Sequence, residues 1–261
     1  LVVSENGCQS CRIVSPILEL SKSFEDLAGC IAPDAAGKVL EGLRKLEYRG
    51  YDSAGLAAIF TDHKGPIETE RTTGYVSDLV NKANGRFDGA RISIGHTRWA
   101  THGGVTDTNA HPHSSNDGTI SVVHNGIIEN ASELLERVKN LGYDVQSETD
   151  SELIVHLLDH ELKTQSRRKT PLDAFKSTVS LLRGSWAIAV IMTGMEAILV
   201  ALFSVMSNFA FLTASWAATA ANCVNLSIRR ASFRSKKSFG LKSLTSPAIR
   251  VSNSSESKLV I

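Results

Sequence analysis

Gly95-His-Thr-Arg-Trp-Ala-Thr-His-Gly103 begins as the end of a strand and finishes in a loop. Arg91–Thr97 carries the alternating apolar residues of a strand, and the loop that follows runs through His111-Pro-His113 and is rich in Gly, Thr, Asn and His. A second strand is expected over Thr119–His124, leading into His124-Asn-Gly-Ile-Ile-Glu-Asn130. Taken alone, Asn125-Gly126 is the commonest pair in a two-residue hairpin turn. Asn130 with Glu133 has the spacing of a capping box, and the helix it opens has an apolar face at Leu134, Leu135 and Val138 before Gly142 stops it. Further on, the pattern predicts a strand over Tyr143–Ser147, a helix from Asp150 to about Leu162, a helix over Pro171–Leu182 and a near-continuous apolar strand over Gly184–Met192.

Upstream, Asp34 is placed to cap a helix with apolar residues at Val39, Leu40, Leu43 and Leu46, which Gly50 interrupts. Leu56–Phe60 reads as a buried strand, and Val76, Leu79 and Val80 mark a short helix. Interleaved strands and helices of this kind point to a layered α/β or α+β domain. The amount of apolar sequence is enough for it: 42% of the 261 residues are hydrophobic and 21% charged. A net charge of +1 gives no general attraction to nucleic acid, and no such partner is expected. Cys8, Cys11, Cys30 and Cys223 are too few for a disulfide framework, and the Cys8/Cys11 pair has no second pair to complete a zinc site, so no metal is expected. No secretory signal is evident, which makes the cytoplasm the expected compartment.

Residues 197–228 hold no charged side chain, whereas residues 229–261 hold eight Lys or Arg, one Glu and nine Ser. The second segment has no core-forming pattern. The first is long enough for a bilayer span with basic residues after it, although Ser, Thr and Asn punctuate it. The chain thus divides into an unassigned extension at 1–24, a domain at 25–195, and an apolar then basic, Ser-rich segment at 196–261 expected to lie outside the domain's core.

Three stretches carry polar residues suited to chemistry: Leu46-Glu-Tyr-Arg-Gly-Tyr-Asp-Ser-Ala-Gly55, the stretch through Gly103 quoted above, and His124–Asn130 with Ser147-Glu-Thr-Asp-Ser151. Each also has a plain reading. Arg49 can be a surface charge at a helix end, and His102, His111 and His113 can be ordinary loop residues. Together and in this order, however, they resemble the class II glutamine amidotransferases. Within that class they resemble the glutaminase domain of the glutamine–fructose-6-phosphate aminotransferases, over roughly residues 29–192. The resemblance implies the four-layer αββα sandwich of the N-terminal nucleophile hydrolases, an α+β fold here incomplete at both ends, and a reaction that needs no cofactor.

It also implies roles for individual residues. Arg98 would bind the α-carboxylate of glutamine, for which a guanidinium fork is suited, and Asp150 the α-ammonium. Asn125 and Gly126 would form the oxyanion hole. Trp99, Thr101 and His102 would cover the bound glutamine, and Arg49 would lie near the nucleophile. Full-length members pass ammonia to fructose 6-phosphate, giving glucosamine 6-phosphate, through isomerase domains not recognisable in this sequence; a homo-oligomer is compatible with the resemblance. The family's nucleophile is an N-terminal cysteine that opens Cys-Gly-Ile-Val-Gly and uses its own amine as base. Aligning Glu25-Asp-Leu-Ala-Gly29 with that start puts Glu25 at the nucleophile position, and Cys30, the nearest thiol, comes five residues late. Two other readings therefore stand beside a glutaminase half lacking its nucleophile. One is a catalytically inactive protein that binds glutamine or pairs with an intact copy, and the other a membrane-tethered glutaminase-like module.

Overall fold

The computed structural model describes residues 26–60, 65–100, 103–164, 170–204, 209–216, 249–253 and 256–260. Two antiparallel sheets lie face to face between two layers of helices. The first sheet has the order β1-β4-β2-β3, from β1 (Leu27–Ile31), β2 (Ser53–Ile59), β3 (Glu68–Thr73) and β4 (Ile92–Arg98). The second is β5-β6-β7-β8-β9, from β5 (His113–Ser114), β6 (Ile120–Ile128), β7 (Gly184–Met192), β8 (Ala197–Ser204) and β9 (Phe209–Trp216).

β7 and β8 are apolar on both faces, so each side chain's layer follows from its parity. In β7, Trp186, Ile188, Val190 and Met192 face a helical layer. The intervening Ala187, Ala189 and Ile191, with Val123 of β6, face the other sheet, where they meet Leu27, Ala57 and Ile94. The outer face of the first sheet is covered by α1 (Ala35–Leu46) and α2 (Val76–Ala83), through Val39, Leu43, Val76 and Leu79. The outer face of the second packs against α3 (Ala131–Asn140), α4 (Asp150–Thr164) and α5 (Pro171–Val179), with Phe175, Ile154 and Leu158 fully buried. This is the expected αββα order of layers.

Most of the expected elements form, although β2 begins at Ser53 rather than Leu56, β6 runs on to Ile128 past His124, and α5 ends at Val179 rather than Leu182. Asp34 accepts from Gly37 N at 3.3 Å and caps α1 as expected. Two expectations are corrected, and one plain alternative reading falls away. Tyr143–Ser147 is not a strand, because the N–H groups of Gln146 and Ser147 donate to the Glu152 carboxylate and Tyr143 Oη donates to Asp159 at 2.8 Å. Asn130 is the N-cap residue of α3, but its side chain makes no cap bond; it bridges instead to Leu181 O and Arg183 N, both at 2.9 Å. Asn125-Gly126 is not a turn but the continuation of β6, paired with Ala187 and Trp186 of β7.

The apolar segment after residue 195 also departs from expectation. β8 is hydrogen-bonded along β7, and Ala197–Ala201 are buried, with Leu199 facing the helices and Ile198 and Val200 facing the first sheet. These residues therefore belong to the core. Uncharged sequence with period-two apolar residues on both faces fits an interior strand as well as a bilayer span, and here the free edge of β7 takes it. Among the described residues no helix is long and apolar enough to cross a membrane. β10 (Ile249–Asn253) and β11 (Glu256–Val260) form a separate two-stranded ladder. The extension at 1–24, Glu25, Thr101 and His102 lie outside the described residues.

Candidate functional site

Arg98 is the last residue of β4, Asn125 and Gly126 lie near the end of β6, and Asp150 is the first residue of α4. These ends of strand and helix meet at a cavity of about 280 Å³, which Asp26, Trp99 and Ile127 also line. Four of the residues assigned from the sequence, with Trp99, are thus brought together from positions far apart in the chain. Arg49 reaches the cavity indirectly, through Asp26: its Nε donates to Asp26 Oδ1 at 3.0 Å.

Local structure fixes each of these groups. After β4, Ala100 N donates to Asp52 Oδ2 at 2.8 Å, and Asp52 N donates back to Arg98 O at 3.1 Å, which holds the strand end in place. Arg98 is buried, and its Nη1 donates to Gly104 O at 3.3 Å. Burial lowers the pKa of its guanidinium, opposed by the negative charges of Asp52, Asp150 and Glu148. Gly126 has φ +129°, and a Cβ there would lie 2.3 Å from Ser185 O, so no other residue fits without moving β7.

Asp150 sits at the positive end of α4, where an anion is favoured. Its Oδ2 accepts from Ile128 N at 2.9 Å and its Oδ1 from Ser151 Oγ at 3.3 Å, with His124 Nδ1 3.5 Å away. Burial works to raise its pKa, but the bonds from His124, Ile128 and Ser151 outweigh that and hold the carboxyl below its ordinary value.

Behind the cavity lies a chain of buried imidazoles. His96 Nδ1 and His111 Nδ1 are 2.9 Å apart, and Ser151 Oγ is 2.8 Å from both His111 Nε2 and His124 Nδ1. One proton arrangement satisfies every link. Ser151 donates its single hydrogen to Asp150 and accepts from His111 Nε2–H and His124 Nδ1–H, and His111 Nδ1 accepts from His96 Nδ1–H. Every hydrogen then points along the chain toward the Asp150 carboxylate. His96 Nε2 and His124 Nε2 are buried without a partner, consistent with bare lone pairs. Burial lowers the pKa of His96 to about 3 and that of His111 well below the ordinary imidazole value. His113, whose Nε2 bonds Thr149 Oγ1 at 2.9 Å, is likewise pushed down to about 3 by burial and by Arg71. Among the described residues no group of three or more His, Cys, Asp or Glu is arranged to hold a metal ion.

The sequence reading took His111 and His113 singly, as loop residues, placed His96 and His124 in strands without giving them a role, and named neither Asp26 nor Ser151 as a site residue. The alternation of β4 and β6 was the available signal that His96 and His124 lie inside. Around the cavity mouth, Trp99 is 57% exposed and lies beside Tyr51, with ring centroids 5.6 Å apart, and Tyr51 stacks on Tyr75. A larger cleft of about 610 Å³ lies elsewhere, but its charges pair internally: Lys82 with Asp107 at 2.9 Å and Glu70 at 3.3 Å, and Arg71 with Thr108 O and Ala110 O.

A family model described as a glutamine amidotransferase domain matches residues 96–202. A glutamine–fructose-6-phosphate aminotransferase (isomerizing) of Pyrococcus horikoshii is 46% identical over 166 residues, which is 63% of this chain and 27% of that protein. The enzyme of the same name from Pseudomonas syringae pv. tomato is 51% identical over 153 residues, 59% of this chain and 24% of that protein. The chain therefore spans about a quarter of the length of the curated relatives it matches. Among solved structures, the glutamine phosphoribosylpyrophosphate amidotransferase of B. subtilis, determined with ADP and GMP, superposes with a TM-score of 0.56 at 25% identity, over 67% of this chain and 36% of that one. A structure described as the allosteric regulatory enzyme of purine biosynthesis gives 0.57 at the same identity and coverage. Residues 96–202 thus resemble a glutamine amidotransferase domain, and the αββα sandwich that carries them, with its cavity at the ends of β4 and β6, has the fold of the N-terminal nucleophile hydrolases.

Proposed function

We propose that the cavity holds L-glutamine, and that the domain is the glutamine-handling half of a protein making glucosamine 6-phosphate from fructose 6-phosphate and glutamine. One observation carries this reading: a buried guanidinium, Arg98, and a carboxylate kept ionised, Asp150, face one small cavity that also contains the Asn125 amide and Gly126. In this reading Arg98 takes the α-carboxylate, Asp150 takes the α-ammonium, and the side-chain amide is left to lie toward Asn125 and Gly126. Trp99, with Thr101 and His102, would close over the ligand. Fructose 6-phosphate would be bound elsewhere, by isomerase domains, in agreement with the isomerizing activity in the relatives' names.

A second observation favours binding without hydrolysis. Cys30, the one cysteine among the described residues, forms no disulfide there, is buried in β1 opposite Ser93 and does not line the cavity. With Glu25 aligned to the nucleophile position, no thiol among the described residues stands at the cavity to form a thioester. Calorimetric titration of the 261-residue chain with L-glutamine is expected to show binding that Arg98→Ala and Asp150→Ala abolish. A coupled glutamate-release assay is expected to show no turnover. Absence of binding would sink the glutamine reading; turnover lost on Cys30→Ala would sink the non-hydrolytic one.

A further inference from the structure

Asp26 lies just before β1 and is held there by the main chain, since Thr97 N, one residue before Arg98, donates to Asp26 O at 3.2 Å. Its side chain is little exposed, and it turns toward the cavity rather than away from it. There it stands between two donors. Arg49 Nε donates to its Oδ1 at 3.0 Å and Asn125 Nδ2 to its Oδ2 at 3.1 Å. A guanidinium and a carboxamide N–H₂ converging on one point make an anion-binding corner, and here the chain's own carboxylate fills it.

The two guanidinium groups at the cavity already face carboxylates: Arg49 bonds Asp26, and Arg98 feels Asp52, Asp150 and Glu148, while burial keeps His96 and His111 uncharged. An α-amino acid gripped by Arg98 and Asp150 adds a balanced zwitterion. A neutral side chain leaves the local charge as it was, whereas a carboxylate side chain would place a further anion beside Asp26, which already takes Arg49 Nε–H and an Asn125 N–H. In water-poor surroundings such like-charge neighbours repel strongly.

We propose that Asp26 is a specificity-determining residue: its carboxylate occupies the anion-binding corner formed by Arg49 and Asn125, so that the cavity admits an amino acid with a neutral amide side chain and rejects one with a carboxylate side chain. This rests on the reading of the cavity as an amino-acid site.

The test is calorimetric titration of the full chain, Asp26→Asn and Asp26→Gly with L-glutamine and L-glutamate. The wild type is expected to favour glutamine by about tenfold to a hundredfold. Both variants should narrow or invert that ratio, chiefly by tightening glutamate, because the corner then lacks its own carboxylate. Asp26→Asn keeps the shape and removes only the charge, so a result shared by both variants excludes a mere loss of packing. If the wild type binds glutamine and neither variant moves the ratio, the role of Asp26 is wrong and the amino-acid site stands. If the wild type binds both ligands equally, the role is also wrong. If no protein binds either ligand, both readings fall together.

Discussion

At the scale of single residues, the site depends on charge held in place by hydrogen bonds. Asp150→Asn keeps the shape at the head of α4 but removes the anion toward which the histidine–serine chain is oriented. Glutamine affinity should fall by about 2–4 kcal/mol, the cost of unpairing a desolvated charge, read as a loss of titration heat. The buried histidines make a separate prediction about acid. His96 and His113 have folded pKa values of about 3, well below the 6.5 of an exposed imidazole, so between these limits the unfolded chain binds more protons than the folded one. Their contribution to stability is complete above about pH 6.5 and lost as the pH falls toward 3, each at up to roughly 1.4 kcal/mol per pH unit. The melting temperature should therefore drop steeply between pH 6.5 and 4. A His113→Gln variant that folds should show a shallower drop; an unchanged slope would mean that His113 titrates normally.

At the scale of elements, the sequence was most legible where one pattern had no competitor. The apolar spacing of α1, the Pro171 start of α5 and the alternation of β7 each point to what forms. It was least legible where a side chain took over a backbone group. The Glu152 carboxylate draws in the N–H groups that a strand over Tyr143–Ser147 would have needed, and nothing in the local pattern marks that. Asn125-Gly126 carries a turn signal, but antiparallel pairing with β7 overrides it. The site followed the same division. Arg98, Asn125, Gly126 and Asp150 were recognisable through family wording, whereas Asp26 and the histidine chain emerge only once β1, β4, β6 and α4 are adjacent. Two substitutions probe this scale. Gly126→Ala should displace β7, because the new Cβ would lie 2.3 Å from Ser185 O; loss of glutamine binding with a destabilisation above about 2 kcal/mol is expected. Asn130→Ala removes the bridge to Leu181 and Arg183 and should cost about 1–3 kcal/mol in urea unfolding while leaving the cavity's lining untouched.

At the scale of the whole molecule, β8 ties the layers together, since Leu199 packs toward the helices and Ile198 and Val200 toward the first sheet. Leu199→Ala should destabilise the domain by about 2–5 kcal/mol, and a chain ending at residue 195 should fail to unfold cooperatively. A truncated chain with the same urea midpoint as the full one would show that β8 is dispensable. The cavity depends on the same assembly. Arg98 comes from one sheet, Asn125 and Gly126 from the other, and Asp150 from a helix laid on the second. A ligand that touches all three measures how the two sheets are aligned, much as a key tests whether the pins of a lock are level. Neither half of the fold can offer that grip alone, so binding competence should be the last property to appear during refolding. Bound amino acid should accordingly slow unfolding and leave the folding rate almost unchanged.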